Sequence, residues 1–422
     1  MNPRAAAVQR TYLLLTLLST LAASLIWGVN TLFLLDAGLN NTQAFAANAF
    51  FTAGQVLFEV PTGVLADTWG RRRSYLLGAG TLLLSTVLYL VMWQTRAPMI
   101  GWAVASMLIG LGFTFFSGAT EAWLVDALNF TGFKGTLESV FARGQVVSGI
   151  AMLTGSVGGG LIAQYTGLGA PYIVRSVLLG LTLGAAFFLM KDIGFTPARG
   201  KGLGAEVRDV IKASMDNGWG NPPIRWLMLS APFSMGVLIY AFYALQPYLL
   251  ELYGDTKAFW IAGLAAAIIA ATGIIGGLLV PRIRHLFRRR TTALITMTAV
   301  SIASMAVLGL TSSFWVAIGV VVIWGMAFAA STPVRQAYIN GMIPSAQRAT
   351  VLSFDNMMSS AGGVFAQPAL GRVADVAGYP RSYLVSAGIQ VLALPFLLLA
   401  RRENAASDPT ESGPAHSSAP SS

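Results

Sequence analysis

The sequence predicts an all-α integral membrane protein whose twelve transmembrane helices form two pseudo-symmetric six-helix bundles. Composition, the number of apolar runs and a weak internal repeat carry that expectation. Of 422 residues, 55% are hydrophobic and 10% charged, with a mean hydropathy of +0.65, values no soluble chain of this size sustains. Twelve spans of ~20 residues consume roughly 240 positions, which leaves short loops, a linker and a tail, and no room for a large extramembrane catalytic domain. The chain has no Cys and two His, so disulfides, thiolate nucleophiles and Cys/His metal centres are not expected, and no cofactor is implied.

The first apolar run, 11–35, is too long for a signal peptide and is followed by no small-residue cleavage site, so it reads as a retained helix. Charged residues, Gly and Pro then delimit runs at 43–66, 74–93, 99–125, 139–165 and 171–190, and, after a polar stretch, at 225–250, 258–280, 291–310, 314–339, 349–373 and 382–400. The expected organisation is a first bundle over 1–190, a cytoplasmic linker over 191–224, a second bundle over 225–402 and a disordered Ser/Pro/Ala-rich tail over 403–422. Within the linker, 205–215 reads equally as a surface amphipathic helix or a solvated spacer.

Orientation follows from the basic residues. With the N-terminus inside, one side holds Arg4, Arg10, Arg71, Arg72, Arg73, Lys134, Lys191, Arg199, Lys201, Arg208, Lys212, Arg225, Arg282, Arg284, Arg288, Arg289, Arg290, Arg348, Arg401 and Arg402. The other side holds Arg96, Arg175, Lys257, Arg372 and Arg381, while Arg143 and Arg335 fall in or at the edge of spans. Both termini are therefore expected in the cytoplasm, and topology explains the net charge of +10 without nucleic-acid binding. The lipid bilayer is the expected surrounding and a monomer the expected state.

The halves align weakly at an offset of 214, which pairs Gly63 with Gly277, Glu121 with Arg335 and Asp126 with Asn340, and 160–167 resembles 371–378. Duplicated six-helix halves place a substrate site between them near mid-membrane, exposed to alternate sides by rocking.

The segment Gly63-Val-Leu-Ala-Asp67-Thr-Trp-Gly70-Arg71-Arg72-Arg73 closely resembles the cytoplasmic signature of the major facilitator superfamily. Together with Glu59-Val-Pro61-Thr62-Gly63, with 117–126 on the fourth span and with 348–353 on the eleventh, it is similar to the bacterial twelve-helix drug-efflux-like members, over nearly the whole chain. The resemblance implies that Gly63, Asp67, Gly70, Arg71 and Arg72 form a gate. Gly63 would allow close helix approach, Gly70 a tight turn, the arginines an anchor, and Asp67 would face the start of the eleventh helix at Pro344-Ser345. Thr68 departs from the family's basic residue. The run Gly155-Ser156-Val157-Gly158-Gly159-Gly160 reads either as an antiporter motif with Ser156 in its proline's place or as a small-residue packing seam.

An acid among apolar spans persists where it lines water, pairs or carries protons. Glu59, Glu121 and Asp126, with Arg143 and Arg335, are the candidates for proton coupling. Glu59 is either a protonatable carboxyl or a neutral packing residue. Arg143 is expected to pair with Asp126 or Glu121, and Arg335 to face Glu121 across the halves. Trp27, Asn30, Gln55, Phe233, Tyr240, Tyr243 and Asp355 are the candidate cavity residues. Pro232, Pro247, Pro333, Pro368 and Pro395 offer bending points. No Gly-x-x-x-x-Gly-Lys-[Ser/Thr] loop is present, so an ion gradient is the expected energy source. The expected function is transport of a small organic substrate, with protons exchanged for it in export. Import by a symporter or facilitator, and an enzyme or sensor on the same scaffold, are the rival readings.

Overall fold

The computed structural model describes residues 3–196, 218–343 and 348–410, with Gly204, Ala205, Arg208 and Lys212 between them. Most of the segment considered for a surface helix, the Pro344-Ser345 helix start and residues 411–422 lie outside the described residues.

Fourteen described helices are long enough to name. In the first half they are α1 (Pro3–Trp27), α2 (Asn30–Asp36), α3 (Asn41–Trp69), α4 (Arg71–Thr95), α5 (Met99–Phe116), α6 (Ala119–Phe130), α7 (Leu137–Thr166) and α8 (Ala170–Leu189). In the second they are α9 (Pro222–Tyr253), α10 (Phe259–Leu286), α11 (Arg290–Leu310), α12 (Phe314–Asn340), α13 (Arg348–Val391) and α14 (Ala393–Arg402). Among the described residues, eleven stretches are long and apolar enough to cross a membrane. The last of them, Phe354–Arg402, has 49 residues, roughly 74 Å of helix against a hydrocarbon core of ~30 Å. It turns at Gly378, φ 83°, and so supplies two crossings, which gives the twelve the sequence predicts.

Two expected single spans are broken. The first splits at Gly28–Val29 into α1 and α2, and the fourth at Ser117–Gly118 into α5 and α6, where Gly118 takes φ 69°. By contrast α9 runs unbroken through Pro232 and Pro247. Because successive crossings alternate, the ends of the spans define two faces: a basic face, with the start of α1 and the ends of α3, α6 and α14, and an opposite face, with the end of α2 and the start of α3.

The apolar core has three parts. On the opposite side one cluster spans both halves, from Phe33, Phe45 and Tyr172 to Tyr240, Tyr248 and Tyr383. On the basic side each half keeps its own, around Tyr12, Tyr75 and Trp123 in the first and Met228, Met297 and Tyr338 in the second. Among the described residues, the halves therefore share a core at the opposite face and part toward the basic face.

The glycine run on α7 is a packing seam. A Cβ at Gly159 would run into the Leu25 carbonyl oxygen of α1, and one at Gly160 would lie 2.8 Å from the Gly263 Cα of α10, across the halves. Residues 403–410, grouped with the tail by composition, fold back on the basic face. There the Arg290 N–H donates to the Asp408 carbonyl (2.7 Å) and the Asp408 carboxylate accepts from the N–H and hydroxyl of Thr291 at 2.8 and 3.0 Å.

Substituting Gly159→Val forces α1 and α7 apart, and overpacking of this kind costs about 1–3 kcal/mol or more. The expected outcome is a clearly lowered unfolding temperature in detergent, while Gly158→Ala, where nothing lies within 4 Å, behaves as wild type.

Candidate functional site

The central path is closed at the opposite face by backbone groups of one half bonded to side chains of the other. The break after Trp27 leaves carbonyl and amide groups without helical partners, which apolar surroundings do not tolerate. Gln246 of α9 mends both sides: its Oε1 accepts from the Thr31 N–H (2.8 Å) and its Nε2 donates to the Trp27 carbonyl (2.9 Å). Trp27 stacks on Phe242 at 4.6 Å, and Tyr243 meets the edge of Phe242 at 5.2 Å. Asn30 donates to Asn48 (2.8 Å) and accepts from the Tyr172 hydroxyl (2.7 Å). Lower in the seam Gln367 donates to Thr52 at 3.3 Å. Toward the opposite face the Asp375 carboxylate of α13 accepts from the N–H groups of Asn41 and Thr42, at 2.9 and 2.8 Å, at the start of α3.

On the basic side of this seal lie the acids of the first half. Glu59, partly buried on α3, accepts from the Ser117 hydroxyl at 2.7 Å, at the break between α5 and α6. The break starts a new helix, and Glu121 stands exposed in its first turn, where the positive helix end favours a carboxylate. Gln55 lies one turn of α3 from Glu59 and is partly buried.

Several expected pairings are replaced. Arg335 does not face Glu121. Its Nε and Nη2 bind both oxygens of Asp355, at 2.9 and 2.5 Å, and Nη2 also donates to the Leu227 carbonyl at 3.0 Å, all within the second half. Both side chains are buried, and a buried charge takes the partner its own bundle holds against it. Asp355 is thus a counter-ion and not a free cavity acid. The cavity beside Arg335, lined also by Ser230, Ser301 and Gln390, has about 30 Å³, room for about one water. Arg143 is exposed and has no ion pair among the described residues; Asp126 lies 3.9 Å from the Arg71 Nε instead. Tyr240 is buried in the seam, with its hydroxyl at 2.6 Å from Ser382 and its ring against Phe45, and Phe233 stacks on Phe396 inside the second half.

Arg175, counted from the sequence among loop residues, is fully buried in α8. Its guanidinium donates to Thr86 and to the Ala22 carbonyl, both at 3.1 Å, over the Phe113 ring, with no carboxylate within 4 Å among the described residues. Sequence reading passed over it because a position five residues into a run looks like an interfacial anchor.

The gate signature is assembled within one half. Asp67 pairs with Arg71, and Arg72 donates from its N–H to Asp192 (2.8 Å) and from Nη2 to the Phe187 carbonyl (2.7 Å). Gly70 takes φ 108°, and a Cβ there would meet the Asp192 carboxylate at 2.5 Å, so glycine is required twice over. Among the described residues, a Cβ at Gly63 would meet nothing within 4 Å.

The sequence profile of the Major Facilitator Superfamily matches residues 12–330 and 284–421. The chain belongs to that superfamily. It is an MFS transporter, and its fold is that of solved members. The nucleoside transporter NupG matches with a TM-score of 0.76 at 11% identity, over 94% of this chain and 99% of that one. The POT family transporter PepTSo gives 0.71 at 13%, over 94% and 98%, and the D-xylose-proton symporter 0.66 at 16%, over 93% and 96%. At such identities the likeness is one of fold. No curated protein matches the sequence.

Asp355→Ala leaves the Arg335 guanidinium buried without its counter-ion, a loss typically of about 3–5 kcal/mol. A marked fall in unfolding temperature is expected, largely recovered in Arg335→Met/Asp355→Leu, whereas Glu121→Gln leaves it near wild type.

Proposed function

We propose that this MFS transporter moves a small organic solute across the bacterial inner membrane by alternating access, with its basic face in the cytoplasm, and exports it in exchange for protons. The observation that carries the reading is Glu59: a carboxyl held by Ser117 at the break of the fourth span, about 12 Å along α3 from Asp67, on the open side of the seal. A carboxyl so placed meets water on one side and a closed seam on the other, the setting in which binding of a proton and opening of the seam are linked. Glu121, four residues beyond Ser117, is the second acid of this group. Membership of the superfamily favours transport over an enzyme or sensor on the same scaffold.

One observation supports a second reading, uptake of a metabolite by proton symport or facilitation. Arg175 places an uncompensated positive charge behind the top of the path, which disfavours lipophilic cations and favours solutes with a polar or anionic group. The solved relatives whose names state a cargo are a nucleoside transporter and a D-xylose-proton symporter.

Everted vesicles carrying the protein, given an imposed pH gradient and a fluorescent lipophilic cation, test the first reading. Gradient-driven accumulation is expected in wild type, abolished in Glu59→Gln and reduced in Glu121→Gln. Wild type that accumulates no cation, yet shows counterflow of an anionic or neutral metabolite, replaces export with uptake.

A further inference from the structure

A second copy of the gate spacing lies at the far end of the molecule. Gly63-Val-Leu-Ala-Asp67-Thr-Trp-Gly70 closes α3 at the basic face, and Gly371-Arg-Val-Ala-Asp375-Val-Ala-Gly378 closes the first leg of α13 at the opposite face, with Gly, Ala, Asp and Gly in the same register. The two helices are partners across the halves. A Cβ at Gly371 would lie 2.9 Å from the Asn41 carbonyl oxygen of α3, and the first leg of α13 ends beside the start of α3.

The N-terminal amides of a helix have no partner inside it, and in α3 they are divided between two sources. Asn40 and Gln43 cap each other locally: the Gln43 N–H donates to the Asn40 Oδ1 (2.9 Å) and the Asn40 N–H to the Gln43 Oε1 (3.1 Å). The two amides between, Asn41 and Thr42, are taken by Asp375, which also accepts from the Thr42 hydroxyl at 2.5 Å. Tyr379, just past Gly378, donates its hydroxyl to the Asn41 side chain. Asp375 has no Lys or Arg partner within 4 Å among the described residues; what faces its charge is the positive end of a helix belonging to the other half.

We infer that Asp375 is a gating residue that latches the opposite face shut by capping α3 across the halves, the reciprocal of the gate carried by Asp67. Separating the halves at this face breaks three hydrogen bonds to one carboxylate and strips α3 of two of its end partners at once. The inference rests on the reading that the halves rock, and is independent of the coupling ion and of the direction of transport.

The Cys-free background permits a direct test with spin labels on exposed positions. A pair at Thr95→Cys and Ser312→Cys spans the opposite face, and one at Phe130→Cys and Leu286→Cys the basic face. Bonds to an ionised group typically carry a factor of about ten or more, so Asp375→Ala is expected to shift the ratio of conformers on the order of tenfold toward a longer first distance and a shorter second. Asp375→Asn, which keeps one acceptor, shifts it less. Gln43→Ala removes only the local cap, and is expected to lower the unfolding temperature without moving either distance. Unchanged distances in Asp375→Ala, or an equal shift in Gln43→Ala, would overturn the inference. If Asp375→Ala does not fold, Asp375→Asn and Thr42→Val are read in the same way. A latch shift in a protein that moves no solute would defeat the transport reading and leave the latch standing.

Discussion

Two polar joints between the halves in this protein are built on one constraint: a backbone amide or carbonyl released from a helix in apolar surroundings must find a partner elsewhere in the chain. The break at Gly28–Val29 and the start of α3 release such groups at the seam, and in both places the other half supplies the side chain, Gln246 and Asp375. Beside the shared apolar cluster, the seam is held by groups that are stable either bonded across it or hydrated. This is what a surface that opens and closes requires, since a purely apolar seam would lose its whole burial on opening and a permanently buried charge would not let it close.

The same device, turned inward, holds each half together. Asp192 follows the last helix of the first half and caps α4 through Arg72; Asp408 follows the last helix of the second and caps α11 through Thr291. These are equivalent helices of the repeat, so each bundle closes its basic end with a carboxylate from its own trailing segment. In the proposed rocking the caps within a half keep their partners, whereas the cap made by Asp375 across the halves changes its own. The glycines sort along the same line. Gly160 and Gly263 bring α7 and α10 into backbone contact on the closed side, and Gly63 on the parted side meets nothing.

The crossings, the turn at Gly70 and the packing role of 155–160 were legible in the sequence because each follows from local chemistry: apolar length, a positive φ, or small residues at helical spacing. The partners of charged groups were not. Glu121 and Arg335 occupy equivalent positions of the repeat, which suggested that they meet, but the rotation of α12 turns Arg335 toward α13 and Asp355. Arg175 was counted with the basic residues of the opposite side, though the rotation of α8 buries it. Asp192 and residues 403–410 looked like polar spacer and tail, because a cap made to a helix over a hundred residues away leaves no periodic trace.

The two halves therefore differ in charge more than in shape. The second half neutralises its buried arginine with a bidentate carboxylate, beside a partly open cavity of about 30 Å³. The first half leaves Glu59 with a hydroxyl partner and Glu121 exposed at a helix start, both on the side where the halves part. A fixed ion pair resists any change of protonation, because either partner alone is costly to bury. A carboxyl bonded only to a hydroxyl retains a bonded arrangement whether or not it carries a proton. On the proposed reading, the carboxyls free of an arginine partner on the parted side, Glu59 and Glu121, belong to the first half, and the second half faces them with a charge already paired.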